Sequence, residues 1–187
     1  PFGVGVLLLM AYNFLRFGNV LEQGYGLQYL AYDSLRVARD YGILNIVHVP
    51  GNLFYALFAG VIPIFQDQFS HVLRFPFVRP DPWGMSLFIT SPYLFLLFFF
   101  KYRERTSWLL IASIICIAVP IFLYYGIGFR QFGYRYALDF FPFLFFLFMR
   151  EYMTSRAVLS RGMKVLIISS SFVNLWLFGG FLFYGNI

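Results

Sequence analysis

Four stretches of the chain, Gly84–Phe100, Ser107–Gly128, Tyr134–Met149 and Val165–Tyr184, are apolar over nearly their whole length. A helix needs about 20 such residues to cross ~30 Å of hydrocarbon. No other feature constrains the fold as much, because runs this uniform have no polar face to turn toward water and must face lipid or one another. The composition agrees: 60% of the residues are hydrophobic, 24% aromatic and only 12% charged, outside the range of an ordinary soluble domain. The fold class expected is all-α, a polytopic transmembrane helical bundle forming a single membrane domain. Phe2–Tyr12 is apolar but too short to span, so residues 1–12 are expected to be the truncated tail of an earlier span. Pro1 stands first, and no charged region with a small-residue cleavage site precedes the run, as in a chain cut from a longer protein. Pro92, Pro120 and Pro142 fall within the four runs, where each removes a backbone donor and favours a kink.

Orientation follows from the short loops. Lys101, Arg103 and Arg105 separate the first two runs, and Arg150, Arg156, Arg161 and Lys164 lie between the last two. Basic short loops stay on the cytoplasmic side. The tract Phe129–Gly133 carries only Arg130 and belongs on the opposite side, as does the long segment from Asn13 to Trp83. The five arginines of that segment do not argue against this, since long external regions translocate largely regardless of charge.

The external segment, residues 13–83, is expected to contain short interfacial helices. Leu27, Leu30, Ala31, Leu35 and Ala38 recur at helical spacing, with Asp33, Arg36 and Asp40 on another face, which predicts an amphipathic surface helix. Ile43–Val49 and Leu53–Phe65 are apolar pieces divided by Pro50-Gly51-Asn52. They are expected to form a broken interfacial or re-entrant pair of helices, because a single span would bring His48 and the Pro-Gly pair near the bilayer centre. The closely spaced prolines of Phe75–Gly84 predict an extended tract, with Trp83 placed as an interface anchor.

Ionisable groups in or beside a membrane are costly, so function is sought there first. The densest set is Gly128–Asp139, which holds Arg130, Tyr134, Arg135, Tyr136 and Asp139. Two arginines flanked by tyrosines at the mouth of a helix can hold a phosphate by charge-assisted bonds while the rings pack on an isoprenoid or a sugar. The competing explanation is that Arg135 and Asp139, four apart, form an intramembrane ion pair while Arg130 reaches lipid phosphates. His48 and His71 show no metal-ligand spacing, and Cys116 is alone, so no metal site is expected. Glu22, Asp33, Asp40, Asp67 and Asp81 lie on the external side, where solvated loop carboxylates are the default. Gly24-x-Gly26 and Gly126-x-Gly128 do not extend to a dinucleotide fingerprint, and no Walker pattern occurs, so no cofactor is expected. The net charge of +6 is not gathered into one basic patch, which argues against a nucleic-acid partner.

Several short motifs share a further pattern. Asn13-Phe14-Leu15-Arg16-Phe17-Gly18-Asn19 is followed by Gly24-Tyr25. Phe75-Pro76-Phe77 leads to Trp83-Gly84-Met85-Ser86 and Thr90-Ser91-Pro92, and Gly133-Tyr134-Arg135-Tyr136 is followed by Asp139 and Pro142. Together they resemble the C-terminal half of bacterial GT-C-type membrane glycosyltransferases related to protein O-mannosyltransferases. The resemblance implies a multi-pass enzyme of the bacterial inner membrane that moves a sugar from a polyprenyl-phosphate donor to an acceptor on the extracytoplasmic side. In that family the catalytic acid lies on the first external loop, upstream of the matching region, so no catalytic residue is assigned to this chain. The family's donor-phosphate and lipid site corresponds to Arg130, Tyr134, Arg135 and Tyr136. The rival expectations are half of a membrane transporter or lipid-linked-sugar flippase, in which the same polar mouth lines a substrate path, and a purely structural membrane module.

Overall fold

The computed structural model describes residues 2–25, 27–30, 33–67, 69–156 and 158–184, and is mostly helical. The chain divides into two compact units, Pro1–Ile43 and Leu44–Ile187.

In the first unit, helix α1 (Phe2–Phe17) runs five residues beyond the apolar stretch read from the sequence. It stops at Gly18, whose φ of 70° is the left-handed conformation of a helix C-cap; the Gly18 amide donates to the Phe14 carbonyl at 2.8 Å. Helix α2 (Asp33–Asp40) is shorter than the amphipathic helix expected from Leu27 onward. Ahead of it, the Arg39 guanidinium donates to the carbonyls of Tyr25 and Gln28, and Arg36 donates to that of Leu30. These bonds hold Leu27 and Leu30 outside the helix, and Asp33 then opens it where its charge favours the N-terminus. Ala31 and Gly26 lie outside the described residues.

The second unit opens with a 3-10 turn, Ile46–His48, that leads directly into α3 (Val49–Leu57). Pro50-Gly51-Asn52 therefore does not divide two helical pieces. Proline occupies the first helical turn, where its missing N–H is not needed. The second expected helix fails further on: Val61–Phe65 is strand β1, paired antiparallel with β2 (Leu73–Pro80). The segment expected to be external thus contains a small β-hairpin in place of a second short helix, within a chain that is mostly helical as the all-α class requires. Pro63 is tolerated because a two-stranded ribbon has only edges. Asp67 closes the turn by accepting the amides of Phe69 and Ser70 at 2.9 and 2.7 Å.

The four apolar runs divide into two kinds. Helices α5 (Arg105–Leu123) and α7 (Arg161–Tyr184) are continuous. Residues Arg105–Leu123 and Arg161–Phe183 are long and apolar enough to cross a membrane, and only 11% and 17% of their most apolar stretches are buried. In the core helix of a water-soluble protein most of that surface would be covered. The other two runs are broken. Gly84–Phe100 consists of α4 (Leu87–Thr90) and a 3-10 segment, Pro92–Phe99, separated at Ser91. Tyr134–Met149 begins with a 3-10 turn, Arg135–Asp139, and only then becomes α6 (Phe141–Ser155). Pro92 and Pro142 each stand at the start of a helical segment rather than inside one; of the three, Pro120 lies inside a helix, α5, which continues through it to Leu123.

Helices α5 and α6 pack antiparallel. Near one end Ser107, at the start of α5, bonds Glu151, near the finish of α6; towards the other, Ala118, Ala137 and Phe140 share a core with Ala56 of α3. The basic loops 101–105 and 156–161 therefore share one end of the unit, drawn together further by the Glu104–Arg150 ion pair. The tract 124–134 lies at the opposite end. There the Gln131 amide donates to the Pro82 carbonyl at 3.2 Å and the Tyr134 amide to that of Met85 at 3.1 Å.

Candidate functional site

The tract between α5 and α6 takes its shape from glycine and one buried glutamine. Gly128 has a φ of 95°, and a Cβ there would lie 2.7 Å from the Gln131 side chain. Gln131 is buried; its Nε2 donates to the carbonyls of Trp83 and Ile127, and its Oε1 accepts the Arg135 amide at 3.2 Å. One side chain thus fixes the tract against the turn at Gly84 and sets where the backbone of Arg135 begins.

A second buried amide anchors the other side. Asn52 of α3 is fully buried and donates to the carbonyls of His48, Phe122 and Tyr124, the last at 2.8 Å. Its oxygen accepts the Tyr134 hydroxyl at 2.8 Å. This network satisfies the carbonyls at the C-terminal end of α5, which have no partner within the helix.

Between these anchors lies a cavity of about 400 Å³ lined by Thr90, Ser91, Arg130, Gln131, Tyr134 and Arg135, with Leu87, Leu138 and Phe141 as apolar wall. Arg130 is exposed and holds a left-handed backbone, φ 53°. Arg135 is exposed, with its guanidinium 5.6 Å from the centre of the Tyr136 ring. Neither guanidinium lies within ion-pair distance of a carboxylate among the described residues. The ion pair expected between Arg135 and Asp139 is absent, because the residues lie on a 3-10 turn. At three residues per turn, positions i and i+4 point about 120° apart instead of stacking.

The four residues singled out from sequence thus separate. Arg130 and Arg135 face one cavity. Tyr134 lines it, but its hydroxyl is committed to Asn52 and its ring is buried, so it frames the site and has no free donor to offer. Tyr136 is not among the lining residues; its ring packs edge-on against Tyr124 and Tyr134 and lies under Arg135.

Sequence reasoning gave no role to Asn52, Gln131, Thr90 or Ser91. Asparagine just after Pro-Gly in an apolar segment was the available signal for the first. The helix break at Thr90–Pro92 was signalled by Ser-Pro, and the freed Thr90 carbonyl is taken by Asn174 at 2.8 Å and Ser170 at 3.4 Å. Among the described residues no three His, Cys, Asp or Glu side chains cluster as metal ligands would. Two open cations beside the Ser91 hydroxyl suit an anion with several acceptor oxygens, while the Thr90 hydroxyl already donates to the Ser86 and Leu87 carbonyls, each 3.3 Å away.

A second, larger cavity of about 630 Å³ lies among the Pro92–Phe99 segment, α5 and α6, and is almost wholly apolar. Its one hydroxyl, that of Tyr102, is bonded to the Leu97 carbonyl at 2.5 Å. Leu87 lines both cavities. No family model, characterised protein or solved structure matches this chain.

Proposed function

We propose that the chain is the donor-holding part of a multi-pass integral membrane glycosyltransferase, which moves a sugar from a polyprenyl-phosphate donor to an acceptor on the side away from the basic loops. The observation that carries this is the pair Arg130 and Arg135, unpaired with any carboxylate among the described residues and lining one cavity with Thr90 and Ser91. The cavity is at the end opposite loops 101–105 and 156–161, where the positive-inside rule puts the external surface. The bacterial inner membrane is the location that the motif resemblance implies.

A further feature is compatible with four crossings, although among the described residues only α5 and α7 are long and apolar enough to span. Irregular backbone at membrane depth is tolerated where it is covered by protein or lines a cavity. The break at Thr90–Pro92 meets that condition, since Thr90 and Ser91 line the cavity and the Thr90 carbonyl is bonded by Asn174.

The chemistry asks for cations at this position. When the bond between the sugar's anomeric carbon and the phosphate oxygen breaks, its electron pair stays on the phosphate, whose charge grows. Guanidinium groups already in place stabilise the departing phosphate more than the bound ester. The acceptor hydroxyl must also lose a proton, and no residue of this chain is assigned that role. Membranes carrying the protein should transfer label from a polyprenyl-phosphate sugar, and Arg135→Ala should reduce turnover by roughly a hundredfold without loss of folded protein. Unchanged turnover in that variant would remove the assignment.

A further inference from the structure

The hairpin β1–β2 carries apolar side chains that its own fold does not cover. Phe69 at the turn is 85% exposed, and Phe65, Val72, Leu73 and Phe75 are all exposed as well. Asp67 has settled the turn's own amides, so these side chains are held outward on an ordered ribbon.

What lies beside the ribbon tells what covers it. Strand β2 packs on α7: the Trp176 indole donates to the Pro76 carbonyl at 3.2 Å, with Phe75 edge-on to the same ring at 5.5 Å. Gly180 approaches so closely that a Cβ there would stand 3.0 Å from the Val78 carbonyl. A groove of about 270 Å³ continues the apolar surface from the exposed face of α7 onto Phe75 and Pro76. Trp176 and Gly180 lie roughly 22 and 28 Å along α7 from Arg161, at ~1.5 Å per residue. With Arg161 at the inner boundary, that is the outer edge of ~30 Å of hydrocarbon. A two-stranded ribbon also has open edges whose backbone groups need water or head groups, which excludes the bilayer centre.

We infer that the hairpin is a membrane-interface anchor, with Phe69 and Leu73 seated among the phospholipid head groups of the leaflet opposite the basic loops, and with exposed Arg74 placed to meet lipid phosphate. The inference rests on α5 and α7 crossing the bilayer.

The test uses the purified full-length protein in phospholipid vesicles. The lone cysteine, Cys116, is exposed on α5. A polarity-sensitive fluorophore on Cys116 reports the span; the same fluorophore on Phe69→Cys, with Cys116→Ala, reports the hairpin. Quenching lipids carry their label either near the head group or deep in the acyl chain. The expected result is quenching of the Cys116 probe by deep labels, and a blue-shifted Phe69→Cys probe quenched chiefly by shallow ones. A Phe69→Cys probe that neither lipid quenches overturns the anchor, whether it is water-like in bulk solvent or blue-shifted against a second protein molecule. Chiefly deep quenching of that probe overturns it too. If the Cys116 probe escapes quenching, the membrane crossing itself is refuted, and the anchor with it.

Discussion

The two ends of the helical unit treat their arginines in opposite ways. At the basic-loop end, Arg150 is largely buried and is bonded to Glu104, Ser107 and Glu151 together. Ser107 has no exposed surface and itself bonds Glu151, so every charge drawn inside has a partner. At the other end, Arg130 and Arg135 line a cavity and have no carboxylate within ion-pair reach among the described residues, even with Asp139 close in sequence. Charge spent on joining helices is neutralised. Charge left open beside a cavity is available to a ligand, and a phosphate is the anion whose geometry guanidinium groups match.

The largest effect expected from breaking that contrast lies at the neutralised end. Arg150→Ala leaves Glu151 buried without a cation and should cost about 3–5 kcal/mol of stability, read as a fall in melting temperature in detergent. Adding Glu151→Gln should restore much of the loss, since no buried charge then remains.

Next come the anchors of the open end. Asn52→Ala takes a shared donor from the His48, Phe122 and Tyr124 carbonyls and the acceptor from the Tyr134 hydroxyl, and should cost about 1–3 kcal/mol in all. Tyr134→Phe removes one bond of the same network and should cost about 1 kcal/mol. Gly84→Ala should cost about 1–2 kcal/mol, because φ is 108° there and a Cβ would stand 2.9 Å from the Gln131 Nε2. All three are measurable by the same thermal denaturation.

Arg130→Ala and Arg135→Ala should behave differently, each shifting stability by no more than about 0.5 kcal/mol, because neither side chain holds the fold together. A large loss of stability in either would remove the contrast between the ends.

The smallest effect concerns the hairpin turn. The Asp67 carboxyl is held below its usual range, first by the Ser70 side chain and then by the Phe69 and Ser70 amides. A carboxyl whose pKa is lowered by folding adds stability above its unfolded value and loses it as pH falls through the lowered one. Hydrogen exchange at the Phe69 and Ser70 amides should therefore reveal a turn that loosens only on acidification below the ordinary carboxylate range. Asp67→Asn should remove that pH dependence.

How much of this was legible in the sequence depended on whether a signal was local. Helices α5 and α7 follow from long uninterrupted apolar runs, for which burial of backbone groups leaves few alternatives. The split of Gly84–Phe100 was half legible: Pro92 forecast a kink, but not that Ser86 would cap a one-turn helix ending at Thr90. The hairpin was hidden because Val61–Phe65 is apolar throughout, with no alternation to separate a strand from the tail of a helix. At the site, sequence picked out both open arginines but misassigned what surrounds them. Spacing of four pairs Arg135 with Asp139 only on an α-helix, and the local 3-10 turn depends on contacts from residues far away in sequence. Asn52 reaches Tyr134 across 82 positions, and Gln131 reaches Trp83 across 48. Nothing in a single sequence marks such partners.

The central claim is that the open end binds a lipid-linked phosphate through Arg130 and Arg135. Its most direct test is native mass spectrometry of the detergent-solubilised protein offered a long-chain polyprenyl phosphate or the same polyprenol without phosphate. The account predicts that the phosphate is retained in preference to the alcohol. It also predicts that the Arg130→Ala, Arg135→Ala double variant binds the phosphate at least about tenfold more weakly, since charge-assisted hydrogen bonds contribute ~1.5–3 kcal/mol each. Equal retention of phosphate and alcohol by the unaltered protein, or an unchanged phosphate affinity in the double variant, would contradict it.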